Sequence, residues 1–163
     1  MAKFFFDRTT RIIMRLNFFL AFGKTEKIDE ESQELIKYGK RNRNFIITMM
    51  KIFNFYLENN QFDEALKIEK VLIPACKNEK YDSVNKEIKL LHRLYINKDP
   101  NLKSELKIEL ENVINPEEKM IILYRLTKIC ELMGEKHQAN TYLNQLKIIS
   151  KNQIKQINKA EEF

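Results

Sequence analysis

Few residues of this chain combine the type and spacing that chemistry requires. His92 and His137 each lack a second histidine or cysteine three or four positions away, so neither reads as half of a metal site. His92 also has no nucleophile or carboxylate partner identifiable along the chain, as general-base or nucleophilic catalysis would need. Cys76 and Cys130 are the only cysteines, far apart and each inside an expected helix. Two buried free thiols in a reducing compartment are expected, not a disulfide framework. The triplet Gly23-Lys24-Thr25 matches the end of a phosphate-binding loop, but the upstream glycine and the preceding strand are missing. Glu30-Glu31 and Glu117-Glu118 are assigned to helix starts, where carboxylates complement the positive end of the helix dipole. The chain therefore reads as non-enzymatic, with no cofactor and no metal.

Charge is the next candidate for function. The formal net charge is +6, and residues 1–24 hold Lys3, Arg8, Arg11, Arg15 and Lys24 against the single acid Asp7. Arg8, Arg11 and Arg15 fall at i, i+3 and i+7, on one helical stripe, while Ile12, Ile13, Leu16, Phe19 and Leu20 occupy another. Such a helix can lie on an anionic membrane with its apolar side down. The uncharged run Leu16–Gly23 is far short of the roughly 20 residues a membrane crossing needs. A signal peptide fits badly too, because Arg11 and Arg15 interrupt its apolar region. The competing expectation is that this helix packs on the rest of the protein with its arginines in solvent. Nucleic acid is disfavoured: acids through Asp29–Glu34 and Glu109–Glu118 break the continuous basic surface such binding needs.

The elements that position these residues are helices. Three glycines and three prolines in 163 residues leave too few turns for a barrel or sandwich, and Leu, Lys and Glu are good helix formers. The segment FYLENNQFDEALKIEKVL, residues 55–72, shows the organisation most clearly. An apolar helix ends near Glu58, Asn59-Asn60 turn the chain, and Asp63 and Glu64 open a second helix. Asn60 suits the left-handed conformation that ends a helix. Ala65 is small where two helices cross, opposite the large Tyr56. The same grammar returns over Met120–Lys151, with Leu123, Leu126 and Cys130 before Gly134 and Ala139 after it. A weaker unit spans Asn85–Pro116 with Lys98-Asp99-Pro100 as its turn, and a degenerate one spans Thr9–Asn44 around Gly23.

This pairing of turn, small crossing residue and facing aromatic resembles the tetratricopeptide repeat, whose period is 34 residues. The unit starts at 46, 85 and 120 are spaced by 39 and 35. The resemblance implies an all-α fold of antiparallel helix pairs stacked as a short α-solenoid, about eight helices plus a C-terminal capping helix. Residues 1–44 are expected to form the basic amphipathic helix and the degenerate first pair, 45–151 the repeats, and 152–163 a polar cap or tail. In the family, the first helix of each pair lines a concave groove for a peptide or partner helix. Carried over by position, that groove takes Ile47, Met50, Asn54 and Leu57 from one pair. Lys86, Lys89, Arg93 and Ile96 come from the next, and Ile121, Tyr124 and Lys128 from the last. A groove part apolar and part basic would suit a protein or acidic peptide, because Lys and Arg pair with carboxylates by charge-assisted hydrogen bonds. The expected role is a cytoplasmic protein-interaction adaptor or scaffold. The alternative is a membrane-associated structural subunit docked through Arg8, Arg11 and Arg15.

Overall fold

The computed structural model describes the backbone of residues 6–160 and the side chains of residues 6–152. The chain is all-helical: α1 Arg8–Phe22, α2 Thr25–Tyr38, α3 Phe45–Glu58, α4 Phe62–Ala75, α5 Asp82–Leu91, α6 Pro100–Asn112, α7 Pro116–Leu132 and α8 Lys136–Ala160. A short 3-10 turn, Glu79–Tyr81, precedes α5, and a π-helical stretch, His92–Ile96, extends it. Two compact units divide the chain, residues 1–88 and residues 89–163.

Four hairpin turns share one construction. Gly23, Asn60, Lys98 and Gly134 all take positive φ, at 63°, 57°, 49° and 77°. At three of them the next backbone N–H reaches back five residues, from Lys24 to Phe19, Gln61 to Tyr56 and Glu135 to Cys130. This closure satisfies carbonyls that the ended helix leaves open. At the fourth, Asp99 N–H reaches back six residues to Arg93, because the π-helical turn has added one residue to the loop of the helix. Five positions after each left-handed residue, the following helix carries a buried side chain: Ile28, Ala65, Lys103 and Ala139. The left-handed residues are 37, 38 and 36 positions apart.

Helix starts are equally local. Asp7 accepts from Thr10 N–H at 3.0 Å, Asp99 from Asn101 N–H at 2.9 Å, and Asn115 from Glu117 N–H at 2.8 Å, each capping a helix. Pro100 and Pro116 occupy first-turn positions, where a missing N–H is harmless. Glu117 and Glu118 lie in the first turn of α7. Glu30 and Glu31 correct the expected assignment. The helix starts at Thr25, one full turn earlier, and their charges meet Lys27 and Arg15 instead of the helix end.

In the first unit, α1 packs on α2 and α3 on α4, while α3 also touches both α1 and α2. Ile12, Leu16, Ile28, Leu35, Met49, Ile52, Phe53, Tyr56, Ala65 and Leu72 form its interior, each at most 1% exposed. Tyr56 donates its hydroxyl to Asp29 of α2; burial first, then the adjacent carboxylate, pushes the phenol pKa up. In the second unit, α7 packs on α8, on α6 and on the π-helical stretch. Leu94, Leu106, Leu123, Leu126, Ile129 and Cys130 are its most buried apolar residues. Cys76 and Cys130 are both free and buried, and burial pushes both thiols up.

The polar segment after residue 151 is no separate helix, since α8 runs unbroken to Ala160. The side chains after residue 152, Ile154 and Ile157 included, and residues 1–5 with Lys3 lie outside the described residues.

Candidate functional site

A candidate surface of the first unit is built where α1 lies beside α3. Lys51 donates its ammonium to Asn17 Oδ1 at 3.0 Å, joining the two helices at positions 34 residues apart. Just beyond, Leu20, Ala21, Asn54, Phe55 and Glu58 line a groove of about 450 Å³. On the outward side of α1, Met14, Phe18 and Phe22 recur every four residues and are 52%, 57% and 64% exposed. The Phe18 and Phe22 rings touch, with centroids 4.6 Å apart. A largely apolar groove edged by Asn17, Lys51 and Glu58 therefore runs beside an exposed apolar row.

The residues expected for the groove fall differently. Asn54 lines it and Ile47 is 59% exposed on the same helix. Met50 is half-buried. Leu57 is a correction: at 1% exposure it belongs to the core and offers nothing to a ligand. Ten residues at 100° each carry it about 80° off the stripe that begins at Ile47. Lys86 and Lys89 are exposed on α5. Arg93, in the π-helical stretch, is engaged within the chain: Nε to Asp99 Oδ2 at 2.8 Å, and both terminal nitrogens to Glu105 at 2.9 Å. The carboxylates of Glu105 and Asp99 raise the Arg93 pKa, and Arg93 holds both carboxyls below their ordinary range. Ile96 is half-buried beside it in sequence. On α7, Ile121 and Tyr124 are 49% and 40% exposed, and Lys128 sits over the Tyr124 ring and 3.5 Å from Glu131.

The arginines of α1 divide as well. Arg8 meets Glu34 at 2.5 Å, and Arg15 grips Glu31 through Nε and a terminal nitrogen at 2.6 and 2.8 Å. Both pairs tie α1 to α2. Arg11 is exposed and makes no ion pair among the described residues. The apolar stripe expected to meet a membrane faces inward instead, with Ile12 and Leu16 at 0% and Ile13 at 8% exposure. The sequence signal for Met14, Phe18 and Phe22 is their own i, i+4, i+8 spacing, which is weaker than that of the inward stripe of isoleucine and leucine on the same helix.

No group of three or more potential metal ligands occurs among the described residues. No helix among them is long and apolar enough to cross a membrane. No family model matches this chain, and neither a curated protein nor a solved structure matches it.

Proposed function

We propose that this chain is a protein-interaction module of TPR-like helical hairpins, an adaptor or scaffold that takes its partner on the outward face of α1 and α3. The observation that carries the reading is the exposed row Met14, Phe18 and Phe22 beside the Asn17–Lys51 groove. Soluble chains rarely leave touching aromatic rings in water unless something covers them, and aromatic side chains are over-represented where proteins meet. The repeated turn construction and the contact of α3 with both helices of the preceding pair support the repeat reading.

A second reading, docking of α1 on an anionic membrane surface, draws on Arg11 and the same exposed phenylalanines. Affinity capture with the wild-type chain and with Phe18→Glu/Phe22→Glu, read by mass spectrometry, tests the first reading. A discrete protein partner recovered only by the wild type is expected, with unchanged melting of the variant. Equal recovery by both proteins would sink it. Co-sedimentation with phosphatidylserine vesicles, lost in the variant, would favour the membrane instead.

A further inference from the structure

A second surface of the first unit gathers positive charge without acids beside it. The stretch after α2, Gly39-Lys40-Arg41-Asn42-Arg43, turns the chain toward α3. Close packing holds its start in place: a Cβ on Gly39 would collide with Leu35 Cδ1 and stand 2.8 Å from the Leu35 carbonyl. Lys70 on α4 and Lys80 in the 3-10 turn face the same cleft of about 760 Å³ as Lys40, Arg41 and Arg43. Five cations thus line one cleft with no acid among its lining residues. Among the described residues none of the five forms an ion pair, whereas Arg8, Arg15, Arg93 and Lys103 each hold a carboxylate. Between the cations the wall is apolar, made by Ile46, Val71, Pro74 and Tyr81.

The volume is that of a ligand site. Like charges brought together without counter-charges repel, and a ligand bearing several negative charges relieves that repulsion. The apolar wall adds a requirement, since it rewards an aliphatic or aromatic side chain carried among those charges. Single-stranded nucleic acid would look for exposed rings on which successive bases stack. Phe45 is 2% exposed, which leaves Tyr81 as the one accessible ring among the lining residues. We propose that this cleft binds an acidic protein segment, with carboxylates on Arg41, Arg43 and Lys70 and an apolar side chain against Val71 and Pro74. The proposal rests on the reading of the chain as a protein-interaction module, but at a surface separate from the outward row of α1.

Fluorescence anisotropy with a dye-labelled Glu-Glu-Leu-Glu-Glu-Phe-Glu peptide tests it on the full chain. Wild-type protein should bind, and Arg41→Gln/Arg43→Gln/Lys70→Gln should weaken binding by about tenfold or more, as expected when several charge-assisted contacts go. Lys136→Gln/Lys147→Gln/Lys151→Gln removes the same charge from exposed positions of α8 and should bind like the wild type. Phe18→Glu/Phe22→Glu should also bind the peptide normally, so loss of the α1 partner and loss of this ligand are separate results. No binding by the wild type, or equal weakening by both charge variants, would overturn the proposal. So would a single-stranded oligonucleotide that binds the cleft more tightly than the peptide.

Discussion

Lys103 of α6 donates to Glu135, the residue that follows Gly134 in the turn between α7 and α8. It does so from the position where the other hairpins carry isoleucine or alanine. Burial is the largest single influence on the Lys103 ammonium and works against it, but the Glu135 hydrogen bond and the surrounding negative charge together outweigh it and the pKa rises, while Lys103 holds the Glu135 carboxyl low. A lysine at a buried crossing position is tolerable only with that partner. Lys103→Met should therefore lower Tm, and adding Glu135→Gln should restore part of the loss. A double-mutant cycle by thermal melting reads the coupling. Purely additive effects would mean that the pair does not act as a unit.

Ala65 and Ala139 occupy the equivalent position and are 0% and 4% exposed. A leucine there must push the crossing helices apart, at a cost of about 1–3 kcal/mol through overpacking. Urea melts of Ala65→Leu and Ala139→Leu check this. Wild-type midpoints in both would contradict the shared hairpin geometry.

The hairpins were legible in the sequence for a physical reason. Each turn needs a residue that accepts positive φ, and Gly23, Asn60 and Gly134 stand out as such against good helix formers. Lys98 does not, and the residues that mark its turn are Asp99 and Pro100, which the structure shows as a side-chain cap and a first-turn proline. The π-helical stretch left no mark, because one added residue in a helix changes no composition and only slightly shifts the periodicity. The outward face was legible only in part. Position transfer placed Asn54 at a groove but also chose Leu57, since a helix turns out of register with any face within about ten residues. The basic cleft was illegible because Lys70 and Lys80 join Arg41 and Arg43 only through packing of α4 and the 3-10 turn.

Acid should weaken the second unit. Glu105, Asp99 and Glu135 have folded pKa values below their ordinary ones, so at mildly acidic pH the unfolded chain binds more protons. Their contribution is complete above the ordinary carboxylate range, near pH 4, and is lost as pH falls through the lowered folded values. Calorimetry between pH 7 and pH 3 should show a falling Tm at the acid end. Arg93→Ala, which returns Glu105 and Asp99 toward ordinary values, should flatten that fall. An identical slope in the variant would contradict the assignment.

The unpaired cations of the cleft make a prediction in the absence of any ligand. Arg41→Gln/Arg43→Gln removes repulsion and no ion pair, so Tm should rise at low ionic strength, and the gain should fade as added salt screens the charges. A salt-independent fall in Tm would show that the two arginines hold the loop.

The central claim, that the outward face of α1 takes a protein partner, is tested most directly by placing a photo-crosslinking amino acid at Phe18 in the full chain. Ile148, 60% exposed on α8, serves as the control position. After irradiation in native lysate, a discrete adduct with one other protein is expected from position 18 and none from position 148. No adduct at position 18, or the same products from both positions, would contradict the account.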